Sequence, residues 1–494
     1  MRKLLCALLA LVMMMSVVSI TASAAEEPTK IIWWTYTPAD APLDAAMVLE
    51  AANKYSAEKI GVTADIQYMT GDQLNINMAS GEYYDIVMSA SWYNNFDQNA
   101  QDGRFADITD MLQTETPALY ATMEDKFWDA ARINGRIMGV PVKKDMGTDV
   151  FFRINEDYYM PKEIKDADGK VVKAAGEALP DEMKFEDLEN YLRTYKEEFP
   201  DDYPIYLSKG GLSHAFDFFE AVAGTWLGIN YYKGGTTIIP FYEDEDVVAR
   251  FRLLHKWYTL GYIQPDAATL DSLPYSYKSS VRSGAAWYGY MGWRTSAGFN
   301  VKLVRYDGTF MSRSTMQGTV MGINAGADAA HQTAALKYIE LLATDRTFRD
   351  ILGYGIEGVH YNRLDDGTVL LTQQGKDNYA LNLFITGSVA NASVESPSEE
   401  VRADANQWQH VYELYENAIV STTKGFALNK EPVETELAAI TAVMAKYSAD
   451  LYTGTADIDA ILPTIKEELE NAGIKTVQQE AQNQLDAHLA SLAK

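Results

Sequence analysis

Ile31-Ile32-Trp33-Trp34-Thr35-Tyr36 is an unbroken apolar and aromatic run of strand length, and with the segments up to residue 89 it decides the fold class. A run without polar alternation reads as a strand covered on both faces. Asp40 and Pro42 then supply a helix start, and Leu43, Met47, Ala51 and Tyr55 recur at helical spacing as far as Gly61. Glu50 and Lys54 stand four apart on the face expected in solvent. Val62, Ala64, Ile66 and Tyr68 alternate with polar residues, which predicts a second strand. A short helical stretch and a third strand over residues 84–89 complete the series. Strand, helix, strand, helix, strand within about sixty residues predicts an α/β chain with a parallel sheet. Ligands bind such sheets outside the carboxyl ends of the strands. Those ends fall at residues 34–37 and 89–93, and both are aromatic.

Further along, Asn134-Gly135 is a turn before a strand over residues 137–142. Lys143-Lys144-Asp145-Met146-Gly147 is then a polar, glycine-containing break ahead of a new apolar strand at 150–153, the pattern of a domain crossing. Asp168-Gly169 marks a hairpin inside a polar insertion over about 161–180. A second crossing is expected at 310–314, because residues 318–323 return to a buried-strand pattern and a helix over 329–343 comes next. The last third is helical. Val433, Leu437, Ile440, Met444, Tyr447 and Leu451 step by three and four behind Pro432, up to Gly454. Two more amphipathic helices are expected, over 458–469 and 474–489, separated by Gly473.

The chain has 494 residues and a net charge of −27, which argues against nucleic acid or an anionic membrane as partner. One cysteine excludes an intramolecular disulfide framework and Cys-type metal sites. That cysteine, Cys6, lies in a segment with Arg2 and Lys3, an apolar run from 4 to 20, and the small residues Ala22 and Ala24 at cleavage spacing. The pattern is a signal peptide over 1–24, so the protein is expected to be exported and its mature form to lack cysteine. Tyr and Trp number 31 and 9 against 17 Phe, an excess of rings with polar handles that suits wet binding surfaces as well as core.

Catalytic signatures are sparse. The chain contains no HExxH, GxSxG or P-loop motif. The S-x-x-K matches at 56–59 and 421–424 have no partner S-D-N or K-T-G. The six histidines show no ligand spacing, and neither a metal nor a cofactor is expected. Residues 243–246 are four acids in a row without the spacers or glycine of a calcium loop. A glycosidase needs only two carboxylates, and with 69 acids in the chain a secreted sugar-cleaving enzyme stays open as the alternative.

Aromatic clusters are the stronger signal. They are Trp33, Trp34 and Tyr36; Trp92 and Tyr93; Trp287, Tyr288, Tyr290 and Trp293; and Tyr354 with Tyr361. Such rings stack on the apolar faces of sugars, while acids, amides, lysines and histidines bond the hydroxyl edges. Trp33 is expected in the core, since it and Trp34 point to opposite faces.

At these residues the chain resembles the family 1 extracellular solute-binding proteins of bacterial carbohydrate ABC importers. The matching stretches include Gly81-Glu-Tyr-Tyr-Asp-Ile86, Gly103-Arg-Phe-Ala-Asp107, Asn134-Gly-Arg-Ile-Met-Gly-Val-Pro141 and Tyr354-Gly-Ile-Glu-Gly-Val-His-Tyr361. Gly425-Phe426 with Pro432-Val-Glu-Thr-Glu436 resembles the C-terminal extension of a LipO-like Gram-positive subgroup. The resemblance implies a periplasmic-binding-protein-like α/β fold of two lobes with a hinge and a helical C-terminal extension. Its boundaries would be 25–144 and 315–352 for the first lobe, and 145–314 and 353–494 for the second. It implies a monomeric, non-enzymatic receptor that captures a sugar or oligosaccharide and passes it to membrane permease subunits. A peptide or other-solute receptor would share the fold. The implied ligand-binding residues are Tyr36, Trp92, Tyr93, Lys144, Asp145, Trp287, Tyr288, Trp293, Glu357 and His360. Glu357 and His360 lie in a glycine-flanked turn that could equally serve structure. Many members carry a lipid on a cysteine at the cleavage site. Cys6 is too early for that, so a lipid anchor is not expected.

Overall fold

The computed structural model describes residues 27–37, 40–222, 224–274, 278–285, 298–379, 387–423 and 425–492. The expected signal segment lies outside them.

The strands of the two main sheets are β1 (Thr29–Tyr36), β2 (Val62–Met69), β3 (Ile86–Ser89), β4 (Val140–Pro141), β5 (Thr148–Asn155), β6 (Val281–Ala285), β7 (Val301–Met311), β8 (Val320–Ile323) and β9 (Ile419–Val420). The first sheet runs β2-β1-β3-β8-β4, with β1 parallel to β2 and β3, and β8 antiparallel to both its neighbours. The parallel unit expected from residues 31–89 is therefore present. The second sheet runs β6-β5-β7-β9. The principal helices are α1 (Ala45–Ile60), α2 (Gly71–Ser80), α3 (Phe96–Gln101), α4 (Glu245–Thr259), α5 (Ala329–Thr344), α6 (Gln407–Tyr415), α7 (Glu434–Thr453), α8 (Ile458–Asn471) and α9 (Ile474–Leu492).

Both Trp33 and Trp34 are buried, as expected for a central strand covered on two sides. Trp33 meets Tyr338 edge-on and Trp34 packs on Tyr84. Trp34 is thus core rather than cleft wall, unlike its neighbour Tyr36. Helix α1 starts at Ala45 and buries Val48, Ala52 and Ser56, whereas Leu43 and Met47 are exposed. The apolar face read from Leu43 and Met47 is displaced because these two residues precede or open the helix beside the sheet's carboxyl edge.

Two hydrophobic cores divide the chain. One gathers residues 31–146 and 311–352 together with Val389, Val394, Trp408, Val411 and Tyr415. The other gathers residues 150–310 with 428–485. Residues 389–415 therefore pack with the first lobe, where the sequence reading assigned all of 353–494 to the second. The physical cause is a third crossing: α6 covers the first core, and β9 then enters the second sheet beside β7. The C-terminal helices α7 to α9 are part of the second core, with α7 packed on α4. Among the described residues, no helix is long and apolar enough to cross a membrane.

Candidate functional site

The carboxyl edge of the first sheet carries an aromatic row. Tyr36 ends β1, and Trp92 and Tyr93 come just after β3. Their ring centroids lie 6.0 Å (Tyr36–Trp92), 4.7 Å (Tyr36–Tyr93) and 5.6 Å (Trp92–Tyr93) apart. The loop that presents them is held by local polar chemistry. Asn94 and Asn95 both have positive φ, a conformation that asparagine tolerates. Ser89 Oγ donates to the Asn94 carbonyl, Asn94 Nδ2 donates to the Met88 carbonyl, and Asn95 Oδ1 caps α3. Trp92 is 60% exposed, yet its Nε1–H donates to the Gly318 carbonyl at 2.8 Å. The indole edge is fixed and its face is open. The Tyr93 hydroxyl is buried without a hydrogen-bond partner among the described residues, and burial pushes its pKa up.

Lys144 joins this row from just beyond β4. Its Nζ lies 2.6 Å from Asp145 Oδ1, and a Cβ on residue 318 would sit 2.7 Å from that Nζ. A side chain at 318 would displace the ammonium from this position. The structure thus brings Tyr36, Trp92, Tyr93, Lys144 and Asp145 to one edge of the sheet, with Trp92 and Lys144 both meeting Gly318. Trp287, Tyr288 and Trp293 lie outside the described residues. Glu357 is exposed, 3.7 Å from Arg363 Nε. His360 is fully buried; its Nδ1 accepts the Ile356 N–H at 2.9 Å, which leaves Nε2–H to donate to Asp44 Oδ2 at 3.2 Å. With both ring nitrogens engaged it holds the turn, so the structural reading of that motif prevails for His360.

The edge faces the second lobe across three crossings, at residues 142–147, 311–318 and 415–421. Thr315 Oγ1 donates to the Met146 carbonyl, the Tyr415 hydroxyl to the Gly147 carbonyl, and the Ser421 N–H to the Met311 carbonyl. Arg313, on the second crossing, is buried. Its Nε and Nη2 grip Asp97 on α3, at 2.7 to 3.2 Å, and its Nη1 donates to the carbonyls of Asp129 and Gly425. Gln317 also donates to Asp97, at 2.7 Å. This clasp ties the crossing, the first lobe and the C-terminal region together, and sequence reasoning missed it.

The second-lobe wall centres on Glu220. The Ser421 hydroxyl donates to its Oε2 at 2.5 Å, and Ser421 in turn contacts the Thr423 hydroxyl. Burial pushes the Glu220 carboxyl up to about 6, against hydrogen bonds from Ser421, Tyr231 and Thr423 that pull it down. The folded chain then holds this proton more tightly than the unfolded chain does. Stability is expected to fall as pH rises from 4.5 to about 6, by about 2 kcal/mol at most. Denaturant melts at pH 4.5 and 7 should show this component in the wild type and its loss in Glu220→Gln.

Against known proteins, residues 422–490 match a family model described as a domain of unknown function, DUF3502. A carbohydrate ABC transporter substrate-binding protein of Streptococcus pneumoniae serotype 4 is 27% identical, over 94% of this chain and 92% of its own. Lipoprotein LipO of Bacillus subtilis is 24% identical over 51% of this chain and 48% of its own. The crystal structure of the N-glycan transport solute binding protein NgtS of Streptococcus pneumoniae superposes with a TM-score of 0.80 at 24% identity, covering 94% of this chain and 99% of that one. The chain has the solute-binding-protein fold. The family resemblance read from the sequence therefore holds, and so does the two-lobed α/β architecture. NgtS in complex with Man1GlcNAc and with Man5GlcNAc superposes less closely, at TM-scores of 0.71 and 0.69.

Proposed function

We propose that this chain is an exported, non-enzymatic receptor that captures an oligosaccharide between its lobes and delivers it to the permease of an ABC importer. The observation that carries this reading is the exposed Trp92 face, fixed by its N–H on Gly318 and flanked by Tyr36 and Tyr93. A rigid ring platform with hydroxyl-bonding neighbours is what a pyranose face requires. Lys144 and Asp145 supply donor and acceptor at the same edge. Trp287, Tyr288 and Trp293 are proposed as the opposing platform on the strength of the sequence. The relatives' names support a carbohydrate ligand and an importer. The two glycan complexes of NgtS superpose less closely than its other structure does, which supports reading the present arrangement as the open one. Binding would then favour the closed state by its differential affinity. The protein would act as a monomer.

Trp92→Ala is expected to raise the saccharide Kd about tenfold, or ~1.4 kcal/mol, with little effect on folding because the ring is exposed. Calorimetric titration with unchanged affinity would remove Trp92 from the site. Appearance of new reducing ends on incubation with oligosaccharides would replace the receptor by a hydrolase.

A further inference from the structure

Beside the aromatic row, a cavity of about 260 Å³ lies between the lobes. Its first-lobe wall includes Ser91 on the loop before α3, and Asp97, Gln98 and Gln101 of α3. Its second-lobe wall includes Glu220, Thr423 and Phe426. Ser91 lines it, and the next residue, Trp92, stands on the aromatic row, so the two surfaces adjoin along one loop.

We infer that this cavity is a second sugar subsite, for a unit of a longer neutral glycan whose first units sit on the aromatic row. The inference rests on the receptor reading above and extends it to chain length. Three observations carry it. The wall chemistry is amide and hydroxyl on the first lobe, with an acid and a hydroxyl facing it. These groups donate and accept around a polyol edge, whereas Phe426 offers an apolar face. The charges balance in number: Asp97 is neutralised by Arg313, and Glu220 and Lys430 add one group of each sign to the lining. A polyanion therefore gains nothing here. The wall is also built rather than incidental. Ser421 is tied to Glu220, Thr422 donates to the Gly235 carbonyl, and Phe426 packs near His488 of α9. The size suits one ring rather than a chain, being just below the range of about 300–1,000 Å³ for complete small-molecule sites.

The subsite gives residues 422–490, which match a family model described as a domain of unknown function, a part in ligand capture. Thr423 and Phe426 begin that region, whose helices belong to the second core. The extension would thus select for glycan length in addition to completing the lobe.

The test is calorimetric titration of the mature protein with neutral saccharides of increasing length, including Man1GlcNAc and Man5GlcNAc. The proteins compared are wild type, Gln98→Ala and Phe426→Ala. Gln98 lies on the surface of α3, so its variant keeps the fold even if loss of Phe426 does not. Both variants are expected to lose about tenfold in affinity for the longest glycan bound and to bind the disaccharide as the wild type does. Unchanged affinity at every length would overturn the subsite while leaving the receptor intact. Equal losses for short and long glycans would place these residues in the primary site and overturn it as well. A wild type that binds no saccharide would overturn the receptor reading, and the subsite with it.

Discussion

Replacing Arg313 with alanine is expected to lower the unfolding free energy by about 3 kcal/mol, the largest single effect anticipated in this chain. The guanidinium is 5% exposed and makes three short contacts to the Asp97 carboxylate. Its remaining donor reaches two carbonyls, on Asp129 and Gly425, that belong to different parts of the chain. Removing one partner of a buried pair leaves the other charge desolvated and uncompensated, which typically costs about 3–5 kcal/mol. Asp97 is partly open to water at 28%, which favours the lower end of that range. Arg313→Lys should recover only part of the loss, because an ammonium cannot reproduce the two-point grip on a carboxylate. Denaturant unfolding of the three proteins at pH 7 measures this. Equal stability of Arg313→Ala and wild type would mean that water already satisfies Asp97.

The second large effect is expected at Gly147, where the three crossings touch. A Cβ there would lie 2.9 Å from Tyr415 Cε1, 3.0 Å from Met311 Cγ and 3.2 Å from the Phe310 carbonyl oxygen. Tyr415 and Met311 belong to the third and second crossings, and Phe310 lies at the end of the strand that leads into the second. Valine would force all three apart. Overpacking of this kind costs about 1–3 kcal/mol, and the strain falls on the segments about which the lobes would turn in the proposed closure. Gly147→Val should therefore lower the melting midpoint and blunt the compaction proposed to accompany saccharide binding. Small-angle scattering with and without ligand reads the second effect. A variant that melts lower but compacts normally would show that the crossings bend elsewhere.

The parallel sheet was legible because β1 is apolar throughout and β2 alternates, two patterns set by burial on two faces and on one. The polar or small-residue breaks at 143–147 and 310–314, between apolar strands, were likewise visible in the sequence. The third crossing was not. Residues 389–415 alternate helix and loop much as the neighbouring second-lobe segments do, and it is the packing of Val389, Val394, Trp408, Val411 and Tyr415 in the first core that reveals which lobe they cover. The aromatic row came from the rule that strand carboxyl ends carry ligand sites, but the rule over-reached at Trp34, too early in β1 to clear the core. The clasp and the second-lobe wall left no trace in the sequence. Arg313 and Asp97 are 216 residues apart, and Ser421 and Glu220 are 201 apart, so no local spacing could couple them. His360 was balanced between structure and ligand until its two nitrogens could be traced to Ile356 and Asp44.

Calorimetric titration of the mature wild-type protein against neutral oligosaccharides, with peptides as the comparison solutes, tests the central claim most directly. Saturable one-to-one binding of at least one oligosaccharide, with a negative heat-capacity change from the buried ring faces, is the expected result. Binding of peptides but of no saccharide would contradict it.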